Sequence, residues 1–397
     1  MGMKKRIINI FLLVCMIMCL GLSLGYYNKL NDKRTVTNFY LEDQQFTMET
    51  FNNIKGNKNS KNSYTAWKEY NNVVISNNEL RKDSDVKCLI IAGNSSLVVE
   101  SKKMLFDDDE IGCLIDKETA YDLFGSEKVE GNEIIYNNKK LKIRGIHNGE
   151  EHTLILQADY NFKENFDGIT VDSEQNMETL SNILGIKNSG LSTSLYLTIA
   201  KLFLIVIPIM IIVPVVFKII RNAIKEKSMP LRVVLYVLLL IIVTKIFFKI
   251  VNIKFSIPYD IIPNEWSDFN YWSNLFESYI EKAKYLVYMK KYTMDICYLN
   301  ILVKCILSSI LTITLFSILR KKIKIDNIKK LITLISLVFI LEFIVFVKFN
   351  TGSSVEVSGT MFWLLYPYYL ILNNGKSVIS NYCIMKNNKK LQNVESI

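Results

Sequence analysis

Only two histidines, His147 and His152, occur in the 397 residues. A zinc or hydrolase site needs more ligands than such a pair supplies, so both read as residues of a surface loop. No GxxxxGK[ST] sequence is present, which leaves no glycine-rich backbone cradle for the phosphates of ATP. The seven cysteines include no CxxC pair, the spacing most often used by structural metals and redox pairs. No catalytic, cofactor-binding or metal-ligating constellation emerges, and the chain reads as a non-enzyme. Prolines number six, and two of them, Pro208 and Pro214, fall within one apolar run, where they favour a kink.

Long hydrophobic runs, by contrast, are plentiful. Half of the residues are hydrophobic and the mean hydropathy is +0.19, too apolar for a soluble protein and too polar for one buried wholly in lipid. The chain starts with Lys4-Lys5-Arg6 and then IINIFLLVCMIMCLGLSLGYY, a run of about 20 residues, enough for one helix to span a hydrocarbon core. A cleavable signal peptide has the same basic start, but no small-x-small cleavage site follows, which favours a retained helix. Five more apolar segments lie at 195–218, 233–251, 298–319, 331–349 and 360–373, the last short and containing Pro367. The expected fold is therefore a membrane α-helical bundle of about six transmembrane helices, with an α+β extracytoplasmic domain inserted after the first. Its expected divisions are an anchor at 1–27, the outer domain at 28–191, two transmembrane helices within 192–251, an outer loop at 252–297, three transmembrane helices within 298–374, and a cytoplasmic tail at 375–397.

The net charge of +10 sits in short clusters beside hydrophobic runs, a pattern of membrane orientation and not of a nucleic-acid-binding face. With the N-terminus inside, the inner segments hold Lys4, Lys5 and Arg6; Arg221, Lys225, Lys227 and Arg232; Arg320, Lys321, Lys322, Lys324, Lys329 and Lys330; and Lys376, Lys386, Lys389 and Lys390. The positive-inside rule then places 28–191 outside a multi-pass protein of the cell membrane. In the 252–297 loop, Phe269, Trp272, Phe276 and Tyr279 have helical spacing, fitting an interfacial helix or a small solvent-exposed helical hairpin.

Within 28–191, FTMETFNNIKG reads as a helix, and NNVVISNN, VKCLIIAGN, SSLVVES, EIIYNNKKLKIRGI and HTLILQADY read as strands and turns. EIGCLIDKETAYDLFG reads as a strand followed by a short helix, opened by Asp116 or Thr119 and stopped by Gly125. Cys88 and Cys113 either form a disulfide in an oxidising compartment or remain buried thiols. The run Asp107-Asp108-Asp109-Glu110 is either a solvated loop or an attractor of cationic peptides. Among charges inside apolar segments, Glu342 lies deepest. It reads as an interhelical pair with Lys245 or Lys304, or as part of an ion or proton path; Lys201, Lys249 and the two lysines just named also lie close enough to helix ends to snorkel.

Residues 112–146, GCLIDKETAYDLFGSEKVEGNEIIYNNKKLKIRGI, carry Cys113, Ala120, Leu123-Phe124-Gly125, Val129, Gly131, Ile143 and Gly145 in an order and spacing that resembles the extracytoplasmic core domain of MacB-like and FtsX-like ABC transporter permeases. One N-terminal span, an outer domain and a C-terminal bundle also resemble that family's plan. The chain departs from it in having five apolar segments after the domain where the family usually has three, and in the inserted loop at 252–297. The resemblance implies a permease subunit coupled to a separate cytoplasmic ATPase, which holds the ATP and magnesium, and pairing with an identical or second permease. It implies movement of peptides, antibiotics or lipoproteins, or regulation of an envelope protein. By analogy, the ATPase would touch the basic segments at Arg221, Lys225 and Lys227 or at Arg320 and Lys322. The rival reading is a membrane-anchored sensor or immunity protein that binds its ligand without an ATPase; a membrane enzyme is disfavoured for want of a polar catalytic cluster.

Overall fold

The structure is a computed structural model, described for residues 2–41, 44–56, 63–149, 152–172, 190–226, 229–251, 267–288, 290–323, 325, 327–350 and 364–375. The chain divides into two compact units. A helical unit comprises Met1–Asp32, Thr198–Tyr288 and Ile301–Ile397; a domain unit comprises Lys33–Leu197 and Met289–Asn300.

The domain unit is built on one sheet of nine strands: β1 (Val36–Tyr40), β2 (Tyr64–Asn77), β3 (Lys82–Gly93), β4 (Gly112–Asp116), β5 (Glu133–Tyr136), β6 (Lys139–His147), β7 (Thr153–Gln157), β8 (Gly168–Asp172) and β9 (Leu191–Ser192). The spatial order is β3-β7-β4-β6-β5-β2-β8-β1-β9, and β2 also pairs with β3. Six strands therefore close into a ring, while β8, β1 and β9 extend from β2. The β3–β7 and β4–β6 pairs are parallel, and the remaining pairs are antiparallel. A bulge between Tyr70 and Val73, with Asn72 at φ 57°, lets one long strand serve both parts: Tyr64–Trp67 pair with β8, whereas Ser76 meets β5. Bulges bend a strand and raise its twist.

Local sequence explains much of the sheet. In β3, buried Ser84, Val86 and Cys88 alternate with Asp85 and Lys87, and from Cys88 to Gly93 the strand is buried on both faces. The β5–β6 hairpin turns on Asn137 and Asn138, both at positive φ (47° and 63°), as the tightest hairpin turns require. Helix α2 (Met48–Gly56) takes up the FTMETFNNIKG pattern. Helix α3 (Lys117–Phe124) has Asp116 as N-cap and Gly125 as left-handed C-cap at φ 70°. Cys88 and Cys113 are free thiols buried in the core; burial pushes the Cys88 thiol up to about 12.

Two expectations are corrected. SSLVVES is not a strand: Ser95–Leu97 form a 3-10 turn, because the Asn94 side chain accepts from Ser96 N–H at 2.9 Å. His147 is not a surface-loop residue: it ends β6, 1% exposed, with Nε2 3.2 Å from the Thr153 carbonyl and Nδ1 accepting from Gly149 N–H at 3.0 Å. His152 is exposed and stands 3.5 Å from Asp122. The acidic run is partly neutralised: Asp107 pairs with Lys55, and Asp109 receives a two-pronged bond from Arg144 at 2.8 and 2.9 Å. Arg144 is the extra residue where the β4–β6 register shifts between Cys113 and Leu114.

The helical unit contains α1 (Gly2–Asp32), most of α4 (Ser194–Lys225), α5 (Pro230–Val251), α6 (Phe269–Tyr288), most of α7 (Thr293–Lys322), α8 (Ile328–Asn350) and α9 (residues 365–375). Among the described residues, four helices are long and apolar enough to cross a membrane: Ile7–Asp32, Ser194–Lys225, Pro230–Lys249 and Thr293–Lys322. Helix α4 continues through Pro208 and Pro214. Helix α6 covers the aromatic spacing at Phe269, Trp272, Phe276 and Tyr279.

Burial holds the His147 imidazole below its ordinary value despite the nearby Asp116 carboxylate. A lowered folded value means that the unfolded chain binds the proton more readily, so stability is intact above about pH 6.5 and falls as pH drops below it. Hydrogen-exchange protection of β6 and β7 in the full chain should decline from about pH 7 to about pH 5, and His147→Gln should flatten that decline. An unchanged slope in the variant would remove His147 as the cause.

Candidate functional site

Strand β1 is five residues long and buried throughout, and the chain brings three helices to it. Helix α1 ends at Asp32, four positions before β1 begins at Val36. Helix α4 is approached through β9, which pairs Ser192 with Thr37 and Leu191 with Asn38. There the Thr193 hydroxyl accepts from Val36 N–H at 2.9 Å and donates to the Val36 carbonyl at 3.0 Å, while Thr193 N–H donates to the same carbonyl at 2.9 Å. Ser192 Oγ accepts from Ser194 N–H at 3.2 Å and so caps the start of α4.

Helix α7 begins at Thr293, five residues ahead of the apolar segment at 298. The first N–H groups of a helix lack intrahelical acceptors and carry partial positive charge. Glu69, from β2, supplies one acceptor, taking Thr293 N–H on Oε2 at 2.8 Å. Asp295, 1% exposed in the first turn of α7, accepts the Tyr40 hydroxyl at 2.6 Å and Tyr292 N–H at 3.3 Å. Burial first, then Asp295, pushes the Tyr40 hydroxyl above the ordinary phenol range, which keeps it a donor. Tyr292 stacks on Tyr40 at 5.8 Å between centroids and meets Trp67 edge-on at 4.7 Å. Trp67 is fully buried and donates from Nε1 to Thr170 Oγ1 at 3.0 Å, which donates on to Asn38 Oδ1 at 2.8 Å. Gly168 makes room for this indole: a Cβ there would lie 2.3 Å from Trp67 Cζ2. One turn along α7, Tyr298 stacks on Tyr196 at 5.7 Å and donates to the Arg34 carbonyl at 3.2 Å. Apart from Asp32, all of these residues belong to the domain unit.

The arrangement is mechanical in character. It fixes the end of the α1 connection, the start of α4 and the start of α7 to one strand through hydrogen bonds and stacked rings, and Asp295 and Trp67 are shielded from water. Sequence reasoning did not select Tyr40, Trp67, Glu69, Thr193 or Asp295. A lone acid at the head of an apolar helix was the available signal for Asp295, since acids favour helix N-termini.

The residues singled out from sequence lie elsewhere. Among the family-motif positions, Leu123 is buried, Phe124 packs against the core, Gly125 caps α3, Gly131 has φ 89°, and Gly145 lies on β6 beside Lys103. In the helical unit, Glu342 is 2% exposed and neither carboxyl oxygen has a hydrogen-bond partner among the described residues. Lys245 and Lys304 are exposed, and no ion pair joins either to Glu342 among the described residues. The pairing expected for Glu342 is thus not made among the described residues, and both lysines are exposed, as long side chains on apolar helices can be. Arg221 and Lys225 lie exposed in the last turns of α4, Arg320 and Lys322 in the last turn of α7, and Lys227 outside the described residues.

Tyr40→Phe removes a donor from a buried carboxyl and should cost about 1.5–3 kcal/mol in unfolding of the full chain in detergent. Asp295→Ala removes the short acceptor of the Tyr40 hydroxyl at a similar cost. The double variant should fall short of the sum by about 0.5–3 kcal/mol; strictly additive losses would show that the contact does not couple the two elements.

No family model matches the sequence, and comparison with curated proteins gives no match. Among solved structures, the chain is similar to the extracellular domain of the noncanonical ABC-type transporter YknZ from Gram-positive bacteria, at 17% identity and a TM-score of 0.30, over 40% of this chain and 99% of that one. It is also similar to the periplasmic region of MacB from Actinobacillus actinomycetemcomitans, at 16% identity and a TM-score of 0.32, over 40% of this chain and 87% of that one.

Proposed function

We propose that this chain is the permease subunit of an ABC transporter, in which a separate cytoplasmic ATPase drives movement of the extracytoplasmic domain for peptide or antimicrobial export or resistance. The observation that carries the reading is the attachment of the starts of α4 and α7 to β1 and β2, next to the short chain link from α1. Helix tilting at a membrane's inner face is useful to an outer domain only if the helix roots do not slip. Asp295 on Tyr40, Glu69 on Thr293 and Thr193 on Val36 resist slipping because each bond is largely or wholly sheltered from competing water. The motif at Leu123-Phe124-Gly125, with Gly131 and Gly145, supports the same assignment.

In this reading the chain crosses the cell membrane six times, its N-terminus is cytoplasmic, and it pairs with an identical or second permease. ATP and magnesium belong to the partner ATPase. That partner would meet the basic segments at Arg221, Lys225, Lys227, Arg320 and Lys322; the positive side chains in the last turns of α4 and α7 also suit the helix C-termini. Lipid contact is expected along the apolar helices.

Purification in mild detergent, with an ATPase encoded beside the gene co-expressed, should recover the two together. Charge reversal at Arg221, Lys225, Arg320 and Lys322 should reduce the retained ATPase at least several-fold while leaving hydrogen exchange in the domain unchanged. A chain that retains no ATPase but binds a ligand through its outer domain would be a sensor or immunity protein, and the transporter reading would fall.

A further inference from the structure

Helix α8 has one buried stripe, formed by Leu331, Val338 and Glu342 with the half-buried Leu334, Ile335, Leu341 and Val345 beside it, while Ile332, Leu337, Phe339, Ile340, Phe343, Ile344 and Val347 are exposed. The helix packs against α1. An acid therefore occupies a position on the otherwise apolar buried stripe of α8. Its two oxygens are buried and without hydrogen-bond partners among the described residues. An ionised carboxyl so placed would lose its hydration with no compensating cation, whereas the neutral acid loses far less.

The surrounding groups do not alter this. From α1 the titratable side chains among those described are Cys15, Cys19, Tyr26, Tyr27, Lys29 and Asp32, and from α9 they are Tyr366, Tyr368 and Tyr369. The phenol Tyr366 of α9 lies near Glu342. No charged group acts on it there.

We propose that Glu342 is a proton-binding site whose proton exchange is coupled to the burial of the inner stripe of α8 within the helical unit. In the buried stripe the carboxyl holds a proton. When the stripe opens and water reaches it, the O–H bond breaks, the proton passes to water, and the carboxylate remains on the chain, because a hydrated glutamate is ionised at neutral pH. Reburial takes the proton back, so each opening releases one proton and acidification favours the buried stripe.

The test uses the purified full chain in detergent with two measurements. The first is labelling by dicyclohexylcarbodiimide, which adds to protonated carboxyls in apolar surroundings, read by mass spectrometry of the peptide containing residue 342. The second is unfolding of the wild type and Glu342→Gln across a pH series. Expected are labelling of Glu342 near neutral pH, and a wild-type unfolding constant that rises relative to the variant by up to tenfold per pH unit between about pH 5 and about pH 8, the signature of one proton held only in the folded state. No labelling, or parallel pH profiles, would overturn the proposal. A Glu342→Gln chain that fails to fold would overturn it too, because a neutral amide of the same shape must fit the site of a neutral acid. These outcomes are independent of ATPase retention, so the proton site and the transporter reading can fail separately.

Discussion

A carboxyl removed from water must be given donors, and in the domain unit that requirement falls on Asp295. Its first donor is a phenol from β1 and its second is the backbone of Tyr292. Satisfying it brings the start of α7 against strands that lie more than two hundred residues earlier in the chain. The stacked rings of Tyr40 and Tyr292 and the edge of Trp67 then close over the contact. Trp67 can sit there only because residue 168 has no side chain. Hydrogen bonding, ring packing and one close backbone approach thus converge on a few residues, and loosening any one of them exposes polar atoms that the others keep dry.

The sheet carries that local rigidity outward. Strand β2 holds Trp67 and Glu69 in its first half, beside β8, and enters the six-stranded ring with its second half. The bulge at Tyr70–Val73 divides the two roles without breaking the strand. A displacement applied at the first turn of α7 meets a continuous ladder of backbone bonds running from β1 through β8 and β2 into the ring. At the far side of the ring, Asp116 performs a similar service on a smaller scale: it caps α3 through Glu118 and Thr119 and accepts Thr153 N–H from β7 at 2.9 Å.

The parts legible in the sequence are those with local causes. Asp116 and Gly125 delimit α3 by capping alone, Asn137-Asn138 announces a hairpin, and the apolar runs announce long helices. SSLVVES misled because β-branched residues suggest a strand while the preceding Asn94 side chain offers a tighter turn. Strands β1 and β8 went unread for a different reason: VTNFY and GITVD are short, and β1 is buried on both faces, so neither shows the long alternation that marks a half-buried strand. The helix root was hidden for a third reason. Tyr40 and Asp295 are separated by 255 positions, and no periodicity in one sequence connects residues so far apart.

Asp295 and Glu342 represent two solutions to one problem of solvation. Around Asp295 the fold supplies donors, and the acid becomes part of the architecture. Around Glu342 it supplies an apolar buried stripe, and among the described residues the acid contributes no hydrogen bond to holding α8 in place. A leucine in that stripe would fill the space without leaving polar atoms unpaired, and exchanges of this kind are often neutral or stabilising. Stability of the packed helices therefore gives no reason for an acid at this position. A carboxyl can do one thing there that leucine cannot: change its charge when water arrives. Once ionised, it must lose its charge or be paired before the stripe can be buried again, so its protonation and the burial of α8 are linked by the same desolvation cost.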